Sequence, residues 1–292
     1  MKDDDKKSNV FFVVAMIALS ALDVFCWFSV VSGRPNLGAE AYFLDVGQGD
    51  SELMAFPGGI TMMTDAGPTD AVTHSLEKAV PGRRYIDLAF ITHPQADHFG
   101  GYDFVLDHYG VGAFLYNGRD DDPGVTAWTS LKSKIAAKHI PLITLSAGDR
   151  IHYKNDEVDI LSPNSEFDES AELNDTGLVE MIRTEHFRAL FAADIGFNVE
   201  DWLVANIKDF RADILKVPHH GSKYSSGDAL LRAVDPAVAI IEVGAKNVYG
   251  QPGAATLARL ASSTRAEIFR TDKNGNIEVH SEGGMLKVTR EK

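Results

Sequence analysis

The sequence predicts an α/β protein in which two mixed β-sheets pack face to face with helices outside, preceded by one N-terminal hydrophobic helix. Three observations lead there. Apolar runs rich in β-branched and aromatic residues come in clusters, with helical stretches between the clusters rather than after every strand. That pattern belongs to mixed sheets and not to a doubly wound parallel sheet. Several of these runs end abruptly in short loops carrying His and Asp, at Thr92-His93, Ala193-Asp194 and Pro218-His219-His220. The first 37 residues differ from the rest of the 292-residue chain and hold one mainly apolar stretch over residues 10–31.

That stretch, at about 1.5 Å rise per residue, is long enough to cross a hydrocarbon layer of roughly 30 Å. Lys2, Lys6 and Lys7 precede it and Arg34 follows it, which favours an N-terminus inside and the remainder outside. The expectation is therefore a single-pass anchor in the cell membrane, residues 1–37, carrying an extracytoplasmic domain, residues 38–292. A secretory signal cleaved near Val30-Val31-Ser32 is the alternative. The sole cysteine, Cys26, lies in the apolar segment, so residues 38–292 hold no disulfide and no thiolate ligand. Any metal there would take nitrogen and oxygen donors. Four basic and four acidic residues cancel over 1–37, so the net charge of −14 belongs to the rest. Such acidity opposes a nonspecific grip on a nucleic-acid backbone.

Period-2 and short apolar runs place strands at 41–46, 51–56, 60–65 and 85–92. A helix follows over 97–109 and a strand over 113–117. Trp128, Leu131 and Ile135 recur at helical spacing within a helix over 125–139. Strands at 141–145, 150–153 and 158–161 come next, and a hairpin of 178–184 and 187–193 turns at Thr184-Glu185-His186. The remainder alternates: helix 198–208, strand 212–217, helix 227–234, strand 238–243 and helix 253–262. Strands at 266–270, 276–280 and 285–289 close the chain. Neither a short-period repeat nor a long linker divides residues 38–292.

The stretch His93-Pro94-Gln95-Ala96-Asp97-His98 carries the most chemical information. It follows the apolar run Ile86 to Thr92 and precedes Gly100-Gly101, so His93, Asp97 and His98 share one short loop at a strand's C-terminal end. An imidazole–carboxylate–imidazole set suits Zn2+ or Mn2+ and needs further donors from elsewhere. Asp194 ends another apolar strand, and its two carboxylate oxygens could bridge a dication pair. His219 and His220 end a third strand, before Gly221 and Ser222. A fourth strand breaks into Val46-Gly47-Gln48-Gly49-Asp50-Ser51, a Gly-rich loop carrying Asp50 and Ser51.

Together these segments resemble the metallo-β-lactamase superfamily, and within it the hydrolase domain of the ComEC/Rec2 competence proteins. The matching segments are Leu44 through Ser51, Thr64-Asp65-Ala66-Gly67, Thr92 through Gly101 and Asn174. They continue with Ala193-Asp194-Ile195, Lys216 through Ser222, Asn247 through Pro252 and Arg270-Thr271-Asp272. Their order is colinear over roughly 41–280. The resemblance covers the hydrolase part alone, because the multi-span channel of that family needs many apolar spans and this chain has at most one. It implies an αββα sandwich with a metal site at one edge of the sheets. It further implies a hydrolase using a metal-activated water, with phosphodiesters of DNA as substrate.

Residue by residue, the resemblance makes His93 a ligand of metal one and Asp97 and His98 ligands of metal two. Asp194 becomes the bridging carboxylate, His219 the last metal-two histidine, and Asp65 a buried brace that binds no metal. Asp97, His220 and Ser222 are the expected catalytic residues, with Asp97 orienting the attacking water. Asp50, Ser51, Gly221, Ser222, Lys223, Asn247 and Tyr249 are expected to contact substrate, while Lys216 packs its stem and pairs a carboxylate. Two departures stand out. Gln95 replaces the second histidine of the loop, and Gln251 stands where the family pattern Tyr-Gly-His-Pro has histidine. Gln is a neutral oxygen donor and a weaker zinc ligand than imidazole. Metal one is left with His93, Asp194 and the weak donors Gln95 and Asn174 or Asp175. The expected cofactor is Zn2+ or Mn2+, in one tight site and one weak or empty one. The residues leave open a hydrolase of a small substrate (cyclic nucleotide, lactone or β-lactam) and a noncatalytic binding module. They name no protein partner.

Overall fold

A computed structural model describes residues 13–27, 38–120 and 126–292. The chain separates into two compact units, residues 1–37 and 38–292. In the first unit, residues 13–27 form a helix, α1. Most of its side chains are exposed, including Ile17, Leu19, Val24 and Trp27. The fifteen described residues, at about 1.5 Å each, account for roughly 22 Å, against about 30 Å for a hydrocarbon core. Among the described residues, no helix is long and apolar enough to cross a membrane. The expected single-pass anchor, and the extracytoplasmic placement derived from it, are thereby overturned. The flanking parts of that expectation, Lys2, Lys6, Lys7, Arg34 and the Val30-Val31-Ser32 cleavage site, lie outside the described residues.

The second unit is an αββα sandwich. Its first sheet has eight strands in the order β15-β14-β1-β2-β3-β4-β5-β6. These are β1 (Glu40–Phe43), β2 (Glu52–Ala55), β3 (Thr61–Thr64), β4 (Tyr85–Ile91), β5 (Gly110–Tyr116), β6 (Leu142–Thr144), β14 (Ile277–Glu282) and β15 (Met285–Arg290). The second sheet has seven, in the order β13-β12-β11-β10-β9-β8-β7. They are β7 (Arg150–Tyr153), β8 (Asp156–Ser162), β9 (Val179–Arg183), β10 (Arg188–Phe191), β11 (Ile214–Lys216), β12 (Val238–Ile241) and β13 (Glu267–Arg270). Both sheets are mixed: β3 to β6 run parallel in one and β10 to β13 in the other.

Alternation along the strands divides the apolar residues into three layers. Phe43, Phe90, Leu178, Phe191 and Ile240 fill the space between the sheets, with Phe43 and Phe191 edge to face at 5.6 Å. Val72, Leu76, Tyr102, Val105, Trp128 and Leu131 cover the outer face of the first sheet. They come from α2 (Ala71–Ala79), α4 (Tyr102–His108) and α5 (Thr126–Ala137). Leu203, Leu230, Leu231 and Leu260 cover the second sheet, from α6 (Phe197–Asn206), α7 (Asp228–Val234) and α8 (Ala254–Ser263).

Two helical expectations change. The helix expected over 97–109 is two pieces, α3 (Ala96–Phe99) and α4, meeting at Gly100-Gly101. A side chain on Gly101 would stand 1.9 Å from the Ala66 carbonyl, so only glycine lets this backbone press against the loop after β3. Helix α2 was not anticipated, nor was the single turn α9 (Thr271–Asn274).

The parallel strands matter for position. The carboxyl ends of β3, β4, β10, β11 and β12 lead to Asp65, His93, Asp194, His219-His220 and Glu242 respectively. Ligand sites of α/β folds collect at such strand ends.

Candidate metal centre

Five polar side chains meet at this edge. His93, His98, Asp194 and His220 are buried, at 2% exposure or less, while the Asp97 side chain keeps 32% of its surface open. Nε2 of His98 lies 3.5 Å from Oδ2 of Asp194 and 4.0 Å from Oδ1 of Asp97. Nε2 of His220 lies 3.4 Å from the same Asp194 oxygen and 3.6 Å from Oδ2 of Asp97. Donors around a tetrahedral dication with bonds of about 2.0–2.1 Å stand about 3.3 Å apart. The four side chains therefore already have nearly the spacing of a coordination shell. His93, His98 and Asp194 form a second set whose donor atoms lie within 4.8 Å of one another.

The residues fit a cation for a second reason. Nε2 of His93, of His98 and of His220 are all buried without a hydrogen-bond partner. Buried ring nitrogens are rarely left so, and three such nitrogens facing one carboxylate-lined space are what a dication would satisfy.

The ring orientations are fixed from behind. Asp65 accepts from the Thr92 N–H (2.9 Å) and hydroxyl (2.7 Å) and holds Nδ1 of His98 at 2.7 Å. Nδ1 of His220 lies 3.0 Å from the Glu242 carbonyl and 3.1 Å from Oδ1 of Asp50. Supporting partners of this kind fix the tautomer of a ligating histidine. The backbone is held under strain at the same places: Asp65, Ala193, His219 and His220 have φ of 55°, 44°, 52° and 52°. Non-glycine residues adopt that region only where the surroundings impose it.

Charge follows the geometry. Burial alone would raise the Asp194 carboxyl, but the imidazoles of His220 and His98 outweigh it and hold that group far below the usual carboxylate range. Burial opposes charge on His98 too, yet Asp194 and Asp65 keep its imidazolium well above the ordinary value. His93 is pulled down to about 4 by burial and by repulsion from His98. A dication would displace the His98 proton on binding.

The centre floors a cleft of about 500 Å3 lined by Gln48, Gln95, Asp97, Asp194, His219, His220 and the loop Lys246 to Gln251. His219 takes the outer position. Its side chain is 28% exposed, with Nε2 3.8 Å from Oδ2 of Asp194 and 3.5 Å from Nδ2 of Asn174. Gln95 lines the cleft, and Oδ1 of Asn174 is buried without a partner. Asp175 is engaged elsewhere, by Ser170 and Asn198. Gln251 donates to the His219 carbonyl at 3.1 Å and accepts from Gln48 at 2.9 Å; it closes the cleft rather than offering a free donor.

The expected substrate contacts differ in how open they are. Asp50 and Ser51 are fully buried because the Gly-rich loop folds back under the centre: the Asp50 N–H donates to the Asp97 carbonyl at 3.3 Å. Ser222 is buried and its N–H already donates to the His219 carbonyl at 2.8 Å. Gly221 is packed so closely that an added side chain would stand 2.7 Å from Pro252. Lys223 lies over the Tyr224 ring, 4.8 Å from its centroid, and Asn247 ties its own loop to Gly244 and Gln251. Asn247 and Tyr249 both line the cleft, and Tyr249 stands open at its mouth, 71% exposed.

Sequence reasoning passed over Gln48 and Lys246, and also three buried carboxylates behind the centre. Glu52, Glu180 and Glu242 are at most 1% exposed. Each is a lone acid inside an apolar strand run, and that was the available signal. Burial and the charge of Glu242 raise Glu52 well above the usual value, and burial likewise raises Glu242. Burial pushes Glu180 from 4.5 up to about 8, against the hydroxyl donated by Thr64 and with the charge of Asp65 adding to it. The folded protein thus keeps a proton that the unfolded chain releases. This contribution to stability is complete below pH 4.5 and is lost as pH rises towards 8, by about 1.4 kcal/mol per unit. Glu180→Gln, which retains an acceptor for Thr64, is expected to melt near wild type at pH 5 and well above it at pH 8.5. Thermal unfolding at the two pH values checks this, and a difference that does not grow with pH would refute it.

The sequence profile of the metallo-beta-lactamase superfamily matches residues 44–244. ComE operon protein 3 of Bacillus subtilis is 27% identical over 260 residues, covering 82% of this chain and 32% of its own. Competence protein ComA of Neisseria gonorrhoeae is 26% identical over 263 residues, covering 88% of this chain and 34% of its own. The chain thus spans about a third of the length of these relatives. Among solved structures, Tm1679, a metal-dependent hydrolase of the beta-lactamase superfamily, superposes with a TM-score of 0.52 at 14% identity, covering 83% of this chain and 100% of its own. A protein of Parabacteroides distasonis assigned as a metal-dependent hydrolase gives 0.51 at 12% identity, covering 82% and 96%. These structural likenesses bear on the fold.

Proposed function

The chain belongs to the metallo-beta-lactamase superfamily of metal-dependent hydrolases, and we propose that the bond it hydrolyses is a phosphodiester, with DNA as the substrate. The observation that carries the chemistry is the quartet of buried His98, Asp194 and His220 with the partly open Asp97, in which two unpartnered imidazole nitrogens turn into the cleft. Support for the substrate comes from the Neisseria gonorrhoeae relative, whose name concerns competence. Lys246 at the mouth of an otherwise acidic protein offers a cation to a phosphate.

Two imidazoles and two carboxylates suit Zn2+ and Mn2+ alike. His98, His220, Asp97 and Asp194 would hold the tight ion; His93, Asp194 and the neutral donors Gln95 and Asn174 would make a weaker second position. Bound there, a dication supplies Lewis acidity and draws the ionisation of water towards neutral pH. Asp97, partly open and directed at both His98 and His220, is placed to orient the attacking water and accept its proton. Asp194 keeps Oδ2 towards the histidines and Oδ1 towards Lys216. Gln48 and Gln251 wall off one side, leaving the Lys246–Tyr249 side for the substrate.

The test is hydrolysis by the purified full chain of linear single-stranded DNA, duplex DNA and bis(p-nitrophenyl) phosphate, with Mn2+ or Zn2+. Metal-dependent DNA cleavage is expected. The 500 Å3 cleft would also admit a small molecule, so intact DNA beside hydrolysed cyclic nucleotide would transfer the reading to a small phosphodiester. Bound metal with no hydrolysis would mark a binding module.

Gln95→His is expected to strengthen the second position, because imidazole there could converge with His93 on one ion. Tightly held metal should rise from about one to nearly two per chain. Elemental analysis after dialysis checks this, and two tight metals in the wild type would show that Asn174 or His219 already completes the site.

A further inference from the structure

Directly behind the ligands lies a fully buried ion pair between Lys216 and Asp50. No step of the proposed hydrolysis uses either residue. Nor does stability explain them, since desolvation consumes most of the attraction in a buried pair and apolar residues of similar volume often do as well.

What distinguishes the pair is its contacts. Nζ of Lys216 donates to the Ala193 carbonyl at 2.8 Å and lies 3.6 Å from Oδ1 of Asp194. That leaves Oδ2 as the Asp194 oxygen turned to His98 and His220. Oδ1 of Asp50 lies 3.1 Å from Nδ1 of His220. That approach is a charge contact, while the Glu242 carbonyl is the hydrogen-bond acceptor at that nitrogen; together they favour the proton on Nδ1 and leave Nε2 facing the centre. Asp65 does the same for His98. The Gly-rich loop serves this arrangement. Gly49, at φ 150°, passes so near Asp97 that a side chain would stand 2.3 Å from its carbonyl oxygen, and Asp50 is thereby delivered beneath the rings.

We propose that Lys216 and Asp50 act as one positioning unit for the metal centre, aiming Asp194 from the end of β10 and His220 from the end of β11 at a single point. The proposal rests on the metal-centre reading above. Asp50 and Lys216 touch no substrate; they set how well the ligands bind the ion.

The experiment is calorimetric titration of Mn2+ into the metal-free full chain for wild type, Asp50→Asn, Lys216→Met and the double variant. Each single change is expected to weaken binding at least about tenfold, within the range seen for supporting residues of metal sites. The double variant should be no weaker than the weaker single, because the two act together. Its metal-free melting temperature should stay close to wild type, since it buries no unpaired charge. Affinity within twofold of wild type in a folded variant, or losses that simply add, would overturn the proposal. If a single variant does not fold, the neutral double variant decides by the same tenfold criterion. Asp194→Ala separates the two levels. Were the wild type to bind no dication, the metal-centre reading and this proposal would fall together. Binding abolished by Asp194→Ala but unaltered by Asp50→Asn would sink the positioning role alone.

Discussion

Asp194→Ala is expected to remove bound metal and hydrolysis together. One oxygen of this carboxylate faces three imidazoles, at 3.4 Å from His220, 3.5 Å from His98 and 3.8 Å from His219. Without it the partly open Asp97 is the one anion left facing the cleft, and the mutual repulsion of the histidines is no longer offset. The loss should exceed the roughly hundredfold upper range for supporting residues, because a donor itself is gone. Stripping one partner from a buried charge cluster also costs about 3–5 kcal/mol, so the fold must be checked by circular dichroism. Asp194→Asn, which keeps the volume and an oxygen, provides a second variant with less disturbance. Elemental analysis and DNA cleavage form the readout, and a variant retaining full metal and turnover would show that the centre is assembled elsewhere.

Much of this centre was legible because its residues obey local rules. Apolar strands ending in His93, Asp194 and His219-His220 can be seen without a structure, since strand ends of parallel sheets are where side chains are free to converge. The two-sheet architecture followed from the clustering of strands. What escaped was decided by the third dimension. Helix α2 buries only Val72, Ser75 and Leu76, too little pattern to separate from a loop. The division of α3 from α4 depends on Ala66, some 35 positions earlier, pressing on Gly101. Asp50 and Ser51 follow glycines at a strand end, a setting that suggests a substrate loop. The structure folds that loop inward, and Asp50 meets Lys216, which is 166 residues away. The anchor reading rested on apolar composition over 10–31, and composition does not fix the length of a helix.

The adjacent histidines make the remaining difference testable. Both take left-handed backbone angles, and no sequence pattern tells which of two neighbouring residues in such a turn points inward. The family pattern led to His219 as the metal-two ligand and His220 as a catalytic group. The structure buries His220, holds its Nδ1 from behind and leaves its Nε2 facing Asp97 and Asp194, whereas His219 stays partly open beside Asn174. His220→Ala is therefore expected to lose the tight metal and to depress hydrolysis about a hundredfold or more. His219→Ala should keep that metal and lose at most about tenfold, through its contact with Asn174 at the edge of the weaker position. Metal content and rate measured on both variants give the answer. The reverse pattern, a metal-free His219→Ala beside a loaded His220→Ala, would return the ligand role to His219 and require the turn at 219–220 to rotate when metal binds.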